Sequence, residues 1–262
     1  MWPFFRISFF PPSQIAKLVS KRPFVLQSRV STNLKPKFEF LQEIGFVGPL
    51  LSKLILSNPW ILHRSIDVLA SEGVPSRNIA KLIVLNPRSI MRKVDRMIQV
   101  VKTVKELGIE PKACMFVYAL KVRSTMSEST WKKKIDVLKS LGWSENEIFT
   151  LFKRQPMSLA RSEEALRDVA DFCFNTIKLD PGTVISNPRL FMYSVDKRLR
   201  PRYKVLELLK LKNLLKNKKI APLLVRGESE FVENYVLKHL DEIPKLMDIY
   251  RGNVTAETSS VL

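Results

Sequence analysis

A proline flanked by apolar residues recurs along this 262-residue chain, and its spacing constrains the fold more than any other feature. It stands in Lys21-Arg22-Pro23-Phe24-Val25-Leu26, Ser57-Asn58-Pro59-Trp60-Ile61-Leu62, Leu85-Asn86-Pro87-Arg88-Ser89-Ile90, Arg154-Gln155-Pro156-Met157-Ser158-Leu159 and Ser186-Asn187-Pro188-Arg189-Leu190-Phe191. The intervals are 36 (59−23), 28 (87−59), 69 (156−87) and 32 (188−156). The long interval spans two periods, and glycines locate the absent step. Gly45, Gly73 and Gly142 each precede their proline by 14 residues, and 14 residues after Gly108 stands Val122. Columns four residues before the step (Val19, Ile55, Ile83, Tyr118, Phe152, Val184) and three after it (Leu26, Leu62, Ile90, Thr125, Leu159, Phe191) are apolar or aromatic in all but one case. Such a period with a shared apolar skeleton belongs to a solenoid, whose units bury their faces against their neighbours.

Within a unit the spacing is helical. Val94, Met97, Ile98, Val101, Val104 and Leu107 recur at intervals of three and four before Gly108, which stops the helix. In the unit over 127–159, Trp131, Ile135, Leu138 and Leu141 line a first helix that Gly142 ends. Ser144 to Glu147 reads as a capping box opening a second helix, with Ile148, Leu151 and Phe152 inward. Pro156 cannot continue that helix, because it lacks the amide and its ring clashes with the preceding turn. Each unit therefore reads as helix, glycine, helix, proline turn. The unit ending at Pro188 has Phe174 where the glycine falls, and Asp180-Pro181 reads as an N-cap followed by proline at the first helical position. Its first helix is expected to be longer and its second shorter. The expected organisation is a short N-terminal or residual targeting segment at 1–14, a repeat array at 15–225, a helical cap at 226–251 with Phe231, Tyr235, Leu240, Leu246 and Tyr250 inward, and a disordered tail at 252–262.

Lys and Arg number 44 against 25 Asp and Glu, a net charge of +19, which favours polyanionic partners. Cys114, Cys173, His63 and His239 lie at no metal-ligand spacing and are read as structural residues. No metal or other cofactor is expected. No apolar run reaches the roughly 18 to 20 residues of a membrane span, so no membrane insertion is expected. A glycine-rich phosphate loop, paired histidines and a nucleophile elbow are all absent, which argues against an enzyme. Glu163 and Glu164 are read as favouring the start of their helix. The first acidic residue is Glu39, preceded by Arg6, Lys17, Lys21, Arg22, Arg29, Lys35 and Lys37, a composition like that of an organellar transit peptide, although part of the segment also fits the repeat.

The chain resembles the mitochondrial transcription termination factor family, mTERF, in its plant branch, over roughly Ile15 to Tyr250. The Pro-x-x-Leu step, the segment Ser194-Val195-Asp196-Lys197-Arg198-Leu199-Arg200-Pro201-Arg202-Tyr203 and the ending from Phe231 to Tyr250 carry the likeness. It implies an all-α, right- or left-curved α-solenoid of about six to seven repeats, each of two helices plus a short proline-initiated 3-10 turn. It also implies an organellar protein, with the mitochondrion preferred to the chloroplast, binding double-stranded DNA through a basic groove to regulate transcription termination or initiation. The alternatives are an organellar RNA-binding factor in intron splicing or RNA processing, and a non-catalytic helical scaffold for an acidic protein. The partners are organellar DNA or RNA, with organellar transcription or splicing proteins in addition, and a monomer is expected.

Candidate contacts come from the charge. From Lys197 to Lys219 ten basic residues face one acid, Glu207. Lys197, Arg198, Arg200, Arg202 and Lys204 are the leading nucleic-acid contacts, with Lys132 and Lys133 beside Trp131 and Lys134, and Lys153 and Arg154 before Pro156. Along that helix Leu199, Val205, Leu206 and Leu209 supply the buried stripe. Equivalent positions of a solenoid align, so these clusters can form one phosphate track. Phe191, Tyr193 and Tyr203 are placed to stack on a base, but aromatics at helical spacing more often belong to the core. Pro23, Pro59, Pro87, Pro156 and Pro188 with Gly45, Gly73, Gly108 and Gly142 are structural marks of the repeat.

Overall fold

The residue before a proline is pushed out of the helical region by the pyrrolidine ring. Arg22, Asn58, Asn86, Gln155 and Asn187 accordingly sit at φ between −157° and −123° with ψ of 56° to 81°. Each closes the helix behind it through its amide, as in Asn58 to the Leu54 carbonyl (2.9 Å) and Gln155 to the Leu151 carbonyl (2.9 Å). In the computed structural model, which describes residues 4, 10–62, 65–87, 93–216 and 218–253, the step then enters a 3-10 turn at Pro23–Gln27, Pro59–Leu62, Pro156–Ala160 and Pro188–Met192. The turn expected after Pro87 falls outside the described residues, as do most of 1–14, His63 and the tail beyond Asn253.

The helices are α1 (Pro12–Lys21), α2 (Lys35–Glu43, entered through a π turn at Val30–Leu34), α3 (Gly48–Ser57), α4 (Ser65–Ser71), α5 (Ser76–Leu85), α6 (Val94–Glu106) and α7 (Cys114–Thr125). They continue as α8 (Glu128–Ser140), α9 (Glu145–Arg154), α10 (Glu163–Asp171, prolonged by a π turn at Phe172–Thr176), α11 (Pro181–Ser186) and α12 (Arg200–Leu211, entered through a π turn at Val195–Leu199). Then come α13 (Ile220–Leu224), α14 (Glu228–Phe231) and α15 (Leu246–Arg251). The described residues contain no strand, and no helix among them is long and apolar enough to cross a membrane. The fold is an all-α helical repeat. Its contacts divide it into two units, Met1–Ser127 and Glu128–Leu262.

In each unit like packs on like. In the first, α1 lies on α3, α4 on α6 and α5 on α7; in the second, α8 lies on α10, α9 on α11 and the Pro156 turn on the Pro188 turn. This is the solenoid arrangement in which each hairpin completes the core of the next. Trp131 of α8 meets Phe152 of α9 edge-on at 5.1 Å, and Trp143 bridges Phe174 (5.6 Å) and Phe191 (6.0 Å) of the following repeat. A cation two residues before one proline also caps the next second helix, whose last carbonyls lack intrahelical donors. Lys21 Nζ donates to the Leu56 carbonyl (2.9 Å), and Arg154 at the equivalent position donates to the Ile185 carbonyl (3.2 Å).

First helices end in one device. At Gly45, Gly73, Gly108 and Gly142, φ lies between 76° and 99°, and the next residue's amide returns five positions, as in Phe46 to the Leu41 carbonyl (2.9 Å) and Trp143 to the Leu138 carbonyl (3.2 Å). Two further stops use other residues. Lys178 (φ 59°) ends the prolonged α10 and Asn213 (φ 57°) ends α12, the latter with the Leu214 amide returning to the Leu209 carbonyl (2.8 Å). In the repeat ending at Pro188 the first helix is indeed lengthened past Phe174, and the second is reduced to the six residues of α11. Asp180 caps α11 by accepting from the Thr183 amide (2.8 Å), and Ser144 forms the full capping box with Glu147.

Four expectations need correction. Without a proline at Val122, α7 runs unbroken to Thr125 with Val122 buried, so that repeat has no 3-10 turn. On α6 Ile98 is exposed and Val100 joins the core, since a helix turns 100° per residue and the two stand about 200° apart. Cys173 is buried, with its thiol pushed up to about 12 by desolvation, but Cys114 opens α7 and is exposed. At the C-terminus Phe231, Tyr235 and Leu246 are buried, joined by Val236 and Ile249, while Leu240 and Tyr250 are only half-buried.

Candidate nucleic-acid interface

The helix that carries the densest basic run is held by its apolar stripe. Leu199, Val205, Leu206 and Leu209 are fully buried, and Phe172 of the preceding repeat meets Tyr203 edge-on at 5.9 Å. That packing leaves Lys197 and Arg200 exposed and Lys204 half-buried. Arg200 Nε bonds Asp196 Oδ1 at 3.1 Å, one turn away, and its guanidinium lies 5.3 Å from the Phe172 ring. Arg198 is partly spent on the fold, donating to the Arg226 carbonyl (2.8 Å) and stacking over Tyr193 at 4.0 Å.

Arg202 is a correction. It is completely buried, and its guanidinium donates to the carbonyls of Leu224 (3.0 Å) and Arg226 (2.6 Å) and to Glu228 Oε2 (2.6 Å) while lying over the Phe231 ring at 4.5 Å. A buried cation is tolerated only when paired and hydrogen-bonded, and its complete enclosure keeps Arg202 from any ligand at the surface. Lys134 behaves likewise, donating to the Leu159 carbonyl (3.0 Å) and to that of Arg161. Its ammonium is held below the ordinary lysine range by burial, which Glu163 partly offsets. Lys37 makes a third case, buried beside Asn33 and Asp67. Val30 to Phe38 and Val195 to Tyr203 share the pattern Val-x-x-x-Leu, cation, Pro, cation, aromatic, and in both the second cation is the buried one.

Of the other expected contacts, Lys132, Lys133 and Lys153 are exposed, as is Arg154 despite its bond to Ile185. Among the described residues no carboxylate pairs with Lys132, Lys133, Lys153, Lys197 or Lys204. Along the first helices the basic residues are not continuous in sequence. α10, which packs on α8 between the two basic clusters in sequence, carries Glu163, Glu164, Asp168 and Asp171 against Arg167 alone and so adds no net positive charge to a single phosphate track. Phe191 is core; Tyr193 and Tyr203 are half-buried, covered by Arg198 and Phe172.

Counting charge by unit locates the field. Residues 1–127 hold 20 basic and 7 acidic residues, and residues 128–262 hold 24 and 18. Within the second unit, removing the ten cations and one acid of Lys197–Lys219 leaves 14 basic and 17 acidic residues. All of that unit's positive excess thus comes from the one run. Its later half, from Lys210 to Lys219, is lysine-rich without periodicity, and such a stretch offers no sequence signal of a surface until its neighbours are known. No group of His, Cys, Asp and Glu among the described residues could hold a metal ion.

The profile of the mTERF family matches residues 4–121 and 63–232. A curated relative, "Transcription termination factor MTERF8, chloroplastic" of Arabidopsis thaliana, is 21% identical over 218 residues, which is 83% of this chain and 37% of the relative. The chain therefore spans well under half the length of the relative that it matches. With most of its length covered by the family profile and its helices arranged as stacked hairpins, the chain belongs to the mTERF family.

Proposed function

We propose that the chain is a non-catalytic, nucleic-acid-binding protein of an organelle, which grips double-stranded DNA by its phosphates and regulates transcription. The observation that carries this reading is the run from Lys197 to Lys219, which supplies the whole positive excess of a unit otherwise slightly acidic. Phosphate contact of this kind gives affinity and position, and its strength falls with salt as counterions are released. Lys197, Arg200 and Lys204 are the primary contacts, with Lys132, Lys133 and Lys153 as a separate cluster rather than part of one track. The family match supports a role in gene expression, and the name of the Arabidopsis relative supports the chloroplast rather than the mitochondrion.

The test is equilibrium binding to duplex DNA across a salt series, with single-stranded RNA in competition. Log affinity should fall with a slope of about 0.9 per phosphate neutralised. Charge reversal at Lys197 and Arg200 should weaken binding without changing helical content. A flat salt response would exclude the reading, and preference for RNA would move the target to a transcript.

A further inference from the structure

We propose that the cleft beside the end of α12 is a distinct phosphate-binding subsite. The cavity, of about 550 Å³, opens where α12 gives way to the segment that begins at Lys212, against the start of α11. Lys210, Lys216, Lys218 and Lys219 stand around it, all exposed. Its wall is apolar, formed by Ile177 and Leu179 on one side and Leu215 and Ile220 on the other. No Asp or Glu lines it, and among the described residues none of the four lysines forms an ion pair. Four like charges around one cavity repel one another with no carboxylate in its wall to offset them, and a bound anion is the species that relieves them.

The loop is shaped to keep them there. Asn213 and Lys216 both hold positive φ (57° and 46°), which costs a residue bearing a Cβ free energy that the surroundings must offset. The Asn213 amide bonds the Lys210 carbonyl (3.0 Å), the Lys218 amide bonds the Leu215 carbonyl (3.1 Å), and Leu215 is buried. The Lys218 ammonium rests 5.3 Å from the Tyr235 ring, which lines a neighbouring cavity, so Lys218 is shared between the two while Lys210 and Lys219 line the cleft alone. A neighbouring cavity shares Asn213, Lys216 and Lys218 but contains Glu230, which Arg226 engages. The cleft facing α11 is the one without a carboxylate.

The ligand class is a phosphate ester, either the diester backbone of a bound strand or a free nucleoside di- or triphosphate. The first source rests on the nucleic-acid reading given above; the second does not. Two measurements on the full chain separate them. In the first, lysine acylation is mapped by mass spectrometry with and without inorganic pyrophosphate, and Lys210, Lys216, Lys218 and Lys219 should be protected several-fold while Lys132 and Lys133 are not. In the second, duplex DNA binding is compared between wild type and a variant with all four lysines changed to Gln, with a four-fold Lys→Arg variant as the charge-preserving control. The Gln variant should lose affinity and lower its salt slope by about 0.9 for each phosphate released, and the Arg variant should bind as wild type does. Protection together with unchanged DNA binding assigns the cleft to a free phosphate compound. If wild type binds no DNA and protection persists, the nucleic-acid reading falls and the cleft stands. If pyrophosphate protects none of the four lysines, the proposal is overturned whether or not DNA binds.

Discussion

Arg202 Nη2 lies 2.6 Å from Glu228 Oε2, and this pair fastens the basic helix to the C-terminal segment. The arginine is wholly enclosed, the carboxylate is more than half exposed, and Tyr250 donates its hydroxyl to the same carboxyl group. Removing the guanidinium takes away the donor to the Leu224 carbonyl, leaves the Arg226 carbonyl with Arg198 alone and leaves Glu228 without its cation. Arg202→Met should therefore cost about 3 kcal/mol. Urea unfolding of the variant should show it, and the folded fraction should bind DNA with the salt slope of wild type, because Arg202 contacts no solvent.

The same pair sets an acid limit. Tyr250's hydrogen bond, and then that of Arg202, hold the Glu228 carboxyl below its ordinary range against an opposing effect of burial. A group whose pKa is depressed on folding contributes stability that is present above its unfolded value, about 4.3, and lost as pH falls through the folded value. Melting temperature should thus drop between about pH 5 and pH 3 more steeply in wild type than in Glu228→Gln, which has no charge to lose. Parallel melting curves would show that the bond does not contribute.

The array was legible because its signals are local and repeated. A proline forces its predecessor out of the helix wherever it stands, so the turns at Pro23, Pro59, Pro156 and Pro188 could be placed by spacing alone. The stops at Lys178 and Asn213 escaped because their left-handed backbone is imposed by the following amide and not announced by a glycine. The interface was harder to read. Lys132, Lys133 and Lys134 are identical in sequence, yet a helix turns 100° from one to the next, which sends the third inward to the Leu159 carbonyl. Arg200 and Arg202 part in the same way. Charge density located the basic run, whereas helix phase decided which of its members meet solvent.

The missing proline at position 122 gives a further test. Val122 is buried inside α7, whose helix continues to Thr125, and Thr125 Oγ1 donates back to the Val122 carbonyl (2.8 Å). Val122→Pro would restore the repeat's punctuation but remove an amide from a helix that now depends on it, at a cost of about 3 kcal/mol or more. Lower helical content by circular dichroism and a lower melting temperature are expected. An unchanged melting temperature would mean that the repeat accepts the 3-10 turn there.

The two glycine-free stops can be ranked. Lys178 holds φ of 59° with its side chain exposed, and the Leu179 amide crosses it to the Cys173 carbonyl (2.8 Å). A lysine in this conformation bears a steric cost of about 1–2 kcal/mol that glycine avoids, while glycine loses about 0.5–1 kcal/mol more to conformational entropy on folding. Lys178→Gly should therefore stabilise the second unit by about 0.5 kcal/mol, and Lys178→Ala, which keeps the Cβ, should leave it nearly unchanged. Asn213→Gly should gain less, since asparagine tolerates the left-handed region better than lysine. Gly142→Ala, at φ of 90°, should lose about 1 kcal/mol or more. Urea midpoints, compared at constant slope, should fall in the order Lys178→Gly, Asn213→Gly, Lys178→Ala, Gly142→Ala; destabilisation by Lys178→Gly would show that the lysine side chain, and not its backbone, holds the stop.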